Sequence, residues 1–240
     1  MKNKEAWLPS HYHRDSKNRL KGTHMHKIIG RTYEKVIREH ATGLLADIGC
    51  GDVPYYSIYK DLVSDNICVD WGQEGRGPLH LDYIVDLNEG IPLENDVFDT
   101  VLCTDVLEHI KNPGLVVSEI SRIMKKEGKV IITVPFMYWI HDAPYDFHRY
   151  TKYMLVEYCN RNKLSTIYIE EYGGLPEVLY DLVFKGYIFG NFPFRRPFLF
   201  FWRKTGAFLS RLGFVKRLSK RTRETFPLGY IMVAQKEVLS

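Results

Sequence analysis

Several familiar signals are missing from this 240-residue chain. Its opening stretch, "MKNKEAWLPSHYHRDSKNRLKG", is polar almost throughout and has none of the basic, apolar, small-residue order of a secretory signal. The longest charge-free apolar windows, such as "GYIFGNFPF" and "PFLFFW", fall far short of the ~20 residues that cross a bilayer, so no transmembrane helix is expected. There is no internal repeat and no low-complexity tract. Cysteine is sparse: Cys50, Cys68, Cys103 and Cys159 stand far apart, form no C-x-x-C pair, and three of them sit in apolar strand-like runs. A disulfide scaffold is thereby excluded, and buried reduced thiols in a cytoplasmic protein are expected.

What is present is enough apolar residue, 45%, to cover one sizeable core, and one domain with an insertion is the expected organisation. The net charge of +4 is unevenly spread. Residues 195–223 hold ten Lys and Arg and no acid, which leaves 23 basic against 29 acidic residues elsewhere. The basic character is local.

Residues 24–40, "HMHKIIGRTYEKVIREH", place Ile28, Tyr33, Val36 and Ile37 at near-helical spacing and predict an amphipathic helix; residues 1–23 before it read as an arm. From position 44, seven β-rich runs follow: "LLADIG", "NICVD", "DYIVDL", "FDTVLCTD", "KVIITVPF", "LSTIYIEEY" and "GYIMVAQK". Helical patterns separate them. "NPGLVVSEISRIMKKEG" opens at Asn112 and Pro113 and closes on Lys125, Lys126 and Gly128, while "TKYMLVEYCNRN" begins at Thr151, a candidate N-cap. Strands alternating with helices predict a doubly wound α/β sheet of seven strands.

The first run ends in "LLADIGCGDVPYY". A glycine turn between strand and helix opens backbone N–H groups to a ligand. A dinucleotide fingerprint needs a third glycine, and Pro54 stands there; a triphosphate loop needs a Lys after the turn, and none follows. Asp47 and Asp52 flank the glycines and would repel a pyrophosphate. Asp70, 23 residues after Asp47, stands where an acid reaches ribose hydroxyls. The pattern calls for a nucleoside with a cationic tail, which is the chemistry of S-adenosyl-L-methionine.

In order and spacing, "LLADIGCGDVPYY", "ICVD", "VDLNEGIPLENDVFDTVLCTDVLEHI", "NPGLVVSEISRIMKKEGKVIITVPF" and "GYIMVAQK" resemble the class I S-adenosyl-L-methionine-dependent methyltransferases, with their Rossmann-like fold. The resemblance covers residues 40–175 and the last strand, and is closest to the methyltransferase-11-like group. It implies that Asp47, Gly49 and Gly51 contact the methionine part, Asp70 the ribose, and Asp86 with the backbone of Leu87 the adenine. Thr104 and Asp105 would line the methyl-donor pocket.

For the reacting side, "PFMYWIHDAPYDFHRYT" gathers His141, Asp146, His148 and Arg149 after the fifth strand. His141 or His148 is expected to take a proton from an acceptor hydroxyl, with Asp146 orienting the ring and Arg149 available for an anionic acceptor. The competing reading is a hydrogen-bonded loop that closes over the cofactor. "DVLEHI" sets Asp105, Glu108 and His109 on one helical face and resembles the metal-binding acid-x-x-Glu-His of small-RNA terminal 2′-O-methyltransferases and some ubiquinone-pathway O-methyltransferases. The same Leu-Glu-His occurs across the superfamily without metal, however, and His141 is the one further candidate ligand; no metal is expected. The H-x-H pairs His11/His13 and His24/His26 read as solvated or, equally, as part of an arm that helps close the acceptor side.

Between the sixth and seventh runs, about residues 174–225, lies a basic aromatic insertion in which Phe198, Phe201, Phe208, Leu212 and Val215 share one helical face. That face is buried on the domain or a second subunit, in an anionic membrane surface, or on nucleic acid, in that order of expectation. The expected activity is methyl transfer, as O-methylation of a small-molecule, glycan or lipid-linked acceptor, in the cytoplasm or at a membrane surface. An RNA methyltransferase, with salt-sensitive acceptor binding, and a catalytically silent binding or scaffold protein are the alternatives.

Overall fold

The computed structural model of the chain describes residues 24–72, 81–190 and 194–238. The expected arm, residues 1–23 with His11 and His13, lies outside them, as do the side chains of His24 and His26. All seven β-rich runs are strands: β1 (Leu44–Ile48), β2 (Asp65–Asp70), β3 (Tyr83–Ile84), β4 (Phe98–Thr104), β5 (Met124–Pro135), β6 (Leu164–Tyr172) and β7 (Gly229–Lys236). They form one sheet in the order β3-β2-β1-β4-β5-β7-β6. The strands from β3 to β5 are parallel, and β7 runs antiparallel between β5 and β6. The strand order reverses between β1 and β4, and at such a switch point the carboxyl ends of the strands leave a crevice for ligands.

Alternation along the central strands explains the layers. Ala46, Ile48, Val101 and Cys103 face one apolar cluster, whereas Leu45 and Leu102 between them face the other. Helices α3 (Pro113–Ile123) and α4 (Lys152–Arg161) cover the first face, burying Val116, Val117, Ile120 and Ile123 from one and Leu155 and Cys159 from the other. Helix α1 (His24–His40) covers the second with Tyr33, Val36 and Ile37, aided by the single turn α2 (Tyr56–Tyr59). Truncating a fully buried Leu102 to Ala would cost about 2–5 kcal/mol.

Two expectations need correction. The helix opened by Pro113 ends at Ile123, and Met124 already pairs with Phe98, so Lys125, Lys126 and Gly128 do not close it. The next paired residues are Thr100 and Lys129, which makes 125–128 a bulge within β5. Gly128 permits it, since a Cβ there would lie 2.8 Å from the carbonyl oxygen of Lys125 and 3.0 Å from that of Phe98. The second correction concerns the insertion, which folds as α5 (Leu175–Phe189), α6 (Arg195–Leu209) and α7 (Gly213–Thr222) between β6 and β7. The break at 210–212 divides the supposed single face. Phe198 stacks on Tyr187, with ring centroids 3.6 Å apart, but Phe201 and Phe208 are exposed.

Candidate active site

At the carboxyl ends of β1, β2 and β4 the chain encloses a cavity of about 930 Å³. That is at the upper end for small-molecule sites, with room for a cofactor and an acceptor. The glycine turn after β1 forms part of its wall. Gly49 and Gly51 have φ of +69° and +52°, the left-handed region, and a Cβ on Gly49 would meet Val106 Cγ2 at 2.4 Å. The turn hooks over β2, because the N–H groups of Gly49 and Cys50 both donate to the Val69 carbonyl. Gly51 N–H donates to Asp70 Oδ2 at 2.6 Å, so the acid that ends β2 also fixes the turn.

The other strand ends add carboxylates. Asp86 accepts from the backbone and side-chain amide of Asn88, with Leu87 beside it on the cavity wall. Thr104 and Asp105 close β4. Asp105 has φ +54° and is held by its N–H to the Thr133 carbonyl and hydroxyl, and its Oδ1 accepts from Thr133 at 3.1 Å and from Tyr33 at 2.8 Å. Of the eight residues expected to meet the cofactor, seven line this cavity: Gly49, Gly51, Asp70, Asp86, Leu87, Thr104 and Asp105.

Asp47 is the exception. It is only 2% exposed and lies off the cavity wall, where its Oδ2 accepts from the Tyr59 hydroxyl at 3.1 Å. Burial pushes its carboxyl up to about 7, against the hydrogen bond from Tyr59. At the strand ends beside the glycine turn the cavity's carboxylates are therefore Asp70, Asp86 and Asp105. Acids at successive strand ends beside a glycine turn fit a nucleoside carrying ammonium and sulfonium groups, and oppose a pyrophosphate.

The opposite wall comes from the segment after β5 and from the insertion. The short 3₁₀ turn Leu107–His109 anchors the segment: the Glu108 carbonyl accepts from the N–H groups of Phe147 and His148, and the Leu107 carbonyl from the Tyr150 hydroxyl. Arg149 grips Asp146 with two N–H groups at 2.5 and 2.7 Å and also donates to the carbonyls of Trp139 and His148. Its donors are committed to the loop, so it is a clamp and not the expected anion site. Burial alone would raise Asp146, but these hydrogen bonds hold it down at about 2.

Only one of the three expected catalytic residues reaches the cavity. His141 lines it, with Nδ1 3.3 Å from Asp146 Oδ2. Its pKa is lowered, chiefly by burial and against the pull of Asp146, which keeps the ring neutral with a lone pair available. Asp146 sits behind that ring, not on the cavity wall. His148 is also off the wall and packs against Tyr150, so it is set aside as a base. Beside His141 stand His109 and Glu108, the latter with no exposed surface and a carboxyl pushed well up, first by burial and then by Asp105.

Among the wall residues that the sequence had not marked for function are Tyr33 of α1, Tyr138, and Asp181 of α5. Asp181 could have been noticed as the lone acid inside the apolar run "VLYDLVF". Helix α5 also roofs the loop through Lys185, 4.4 Å from the Trp139 ring centroid, and through Phe189, 4.7 Å from it.

Comparison with known proteins accords with this geometry. Residues 46–132 match a family described as a methyltransferase domain. An uncharacterized protein of Methanocaldococcus jannaschii is 34% identical over 91 residues, 38% of this chain and 40% of that protein. A ubiquinone biosynthesis O-methyltransferase of Photobacterium profundum is 28% identical over 111 residues, 40% of this chain and 47% of that one. The chain thus matches less than half the length of either curated relative. Among solved structures, a SAM-dependent methyltransferase from Archaeoglobus fulgidus superposes with a TM-score of 0.54 at 15% identity, covering 88% of this chain and 96% of that one. The fold is that of the class I S-adenosyl-L-methionine-dependent methyltransferases.

Proposed function

From a chain whose residues 46–132 carry a methyltransferase domain on the class I fold, we propose an enzyme that moves the methyl group of S-adenosyl-L-methionine to an oxygen of a small-molecule, glycan or lipid-linked acceptor. The observation that carries the reading is the division of one cavity into two halves. Gly49, Gly51, Asp70 and Asp105 form a cation-accepting half, and Tyr138, His141 and Asp181 face it from the other side. Methyl transfer from a sulfonium needs an in-line acceptor and no acid for the leaving thioether, so positioning supplies most of the catalysis. An acceptor hydroxyl must also lose its proton, and His141, oriented by Asp146, serves that oxygen.

A lipid-linked acceptor is supported by the insertion. Its outer surface exposes Phe200, Phe201, Phe208 and Phe214 among Lys204, Arg211, Lys216 and Arg217. Aromatic and basic side chains together favour an anionic membrane interface. An apolar groove of about 320 Å³ between α5, α6 and α7 adjoins them and could take a hydrocarbon chain. Among the described residues no helix is long and apolar enough to cross a membrane, and we infer contact from the surface. The four buried, unpaired cysteines support a reducing, cytoplasmic setting.

The test is release of S-adenosylhomocysteine when the full chain is given S-adenosyl-L-methionine and, in turn, glycan, lipid-linked and RNA acceptors. Turnover with the first two supports the proposal. Turnover confined to RNA, with affinity falling steeply as salt rises, would replace it with the nucleic-acid reading. Cofactor binding with no product from any acceptor would indicate a silent binding protein.

A further inference from the structure

We propose that Glu108, His109 and His141 form a site for one divalent transition-metal ion on the acceptor wall of the cavity. The role given to the ion rests on the methyl-transfer reading above; its binding does not. Glu108 Oε1 stands 3.8 Å from Nε2 of His109 and 3.8 Å from Nε2 of His141, and the donor atoms of the three residues all lie within 4.8 Å of one another. Nitrogen and oxygen donors bind zinc at about 2.0–2.2 Å, so a shared ion would ask each of the two Glu108–His pairs to close by only about half an ångström, with the two imidazoles turning toward each other from within 4.8 Å.

The carboxylate is otherwise unexplained. Glu108 is fully buried, and neither of its carboxyl oxygens has a hydrogen-bond partner. A buried carboxylate left in that condition is costly, and buried polar side chains are ordinarily satisfied. The backbone is not free to turn it outward, because its carbonyl is fixed by the N–H groups of Phe147 and His148.

The two imidazoles are prepared for the same ion. His109 Nδ1 lies 2.7 Å from the Tyr145 carbonyl oxygen and must donate there, which leaves a lone pair on Nε2, the nitrogen that faces Glu108. His141 has Nδ1 toward Asp146 and Nε2 toward Glu108. Asp146 is itself held by Arg149 and by the backbone N–H of His141. A carbonyl behind one ring and a clamped carboxylate behind the other are the outer groups that orient histidine ligands on a metal.

Two imidazoles and one carboxylate suit zinc or a neighbouring first-row ion; magnesium and calcium prefer oxygen donors throughout. Three protein ligands leave a coordination position for water or an acceptor oxygen, and this one opens on the cavity. A hydroxyl bound there loses its proton to water more readily. Its oxygen then forms the new O–CH₃ bond as the S–CH₃ bond breaks, and the sulfonium becomes a neutral thioether. His141 serves the acceptor oxygen by holding the ion, not by taking the proton itself.

The experiment uses the untagged full chain, stripped with EDTA and titrated with zinc chloride or manganese chloride by calorimetry, with S-adenosyl-L-methionine binding measured in parallel. Wild type is expected to bind one equivalent more than Glu108→Gln and one more than His109→Ala, each with cofactor affinity within about twofold of wild type. A cobalt-loaded sample should show absorption bands that His109→Ala lacks. The His109 variant separates this idea from a simple His141 base, which does not need His109. Equal stoichiometry in wild type and both variants, or no ion bound by wild type, overturns the site. Metal bound at the site without any methyl transfer would leave it standing and count only against the proposed reaction.

Discussion

The Tyr33 hydroxyl donates to Asp105 Oδ1 at 2.8 Å across 72 positions of sequence, and it lies 3.2 Å from the Tyr172 hydroxyl. Helix α1 is thereby tied to the end of β4, where the cavity begins, and to β6. Tyr33→Phe keeps the packing and removes the hydroxyl. Loss of a buried hydrogen bond to a carboxylate should lower stability by about 1.5–3 kcal/mol in urea titrations. Because Asp105 faces the cavity, cofactor affinity should fall with it. Wild-type values for both quantities would mean that α1 covers the core without organising the site.

Asp47 gives the apo protein a pH dependence of predictable sign. Its folded-state carboxyl is raised to about 7 from an ordinary value of 3.8, so the fold favours the protonated form. The stability this confers is fully present below about pH 4 and is lost as pH rises through about 7. A rise of that size corresponds to something on the order of 4 kcal/mol. Asp47→Asn, which stays neutral, should flatten that part of the curve between pH 5 and 8, read by chemical denaturation without cofactor. If both proteins lose stability in parallel over this range, another group is titrating.

The contrast between Asp47 and Asp70 also shows how far the sequence could be read. Strand periodicity and glycine punctuation located all seven strands, since both are local consequences of burial and backbone sterics. Seven of the eight cofactor positions reach the cavity because they lie at or just beyond the carboxyl ends of parallel strands, where the crevice opens. Asp47 misses because its side chain alternates onto the α1/α2 face, beneath Tyr59, a contact across 12 residues that no motif encodes. The acceptor wall was less legible. Its geometry is set by one fold of the 136–150 loop, which turns His141 inward and His148 away, and by Asp181 arriving from the insertion. Adjacent residue types looked equivalent until tertiary contacts separated them.

The histidines supply a direct comparison. His141→Ala should reduce methyl transfer by about a hundredfold or more, the usual worth of a group on which removal of the acceptor's proton depends, directly or through an ion that it holds. His148→Ala should leave kcat/KM within about threefold once the folded fraction is matched, since that ring packs away from the cavity. Equal damage from both, at equal stability, would return His148 to the site.

Asp70 should matter twice over. Its Oδ2 fixes the glycine turn through Gly51 N–H at 2.6 Å, and its carboxylate faces the cofactor half of the cavity. Asp70→Ala removes a charge-assisted hydrogen bond of about 1.5–3 kcal/mol and frees the turn, so cofactor affinity should drop at least tenfold. Asp70→Asn should recover part of this loss, because an amide oxygen still accepts from Gly51. Calorimetric titration with S-adenosylhomocysteine measures both, and an unchanged affinity in the alanine variant would remove Asp70 from the cofactor site.

The insertion surface makes its own claim. Phe201 and Phe208 are seven residues apart on α6, both more than 60% exposed, with Lys204 between them and also exposed. Water gains nothing from such a stripe, whereas an anionic bilayer buries the rings and neutralises the lysine. Phe201→Ser with Phe208→Ser should weaken sedimentation with anionic vesicles by roughly thirtyfold, about 2 kcal/mol of interfacial transfer, and leave stability unchanged because neither ring is in the core. Wild type should bind neutral vesicles far less and lose anionic binding as salt rises. A double variant that sediments like wild type would mean that the aromatic stripe meets a protein surface, and a change of oligomeric state in that variant would identify a second copy of the chain as its partner.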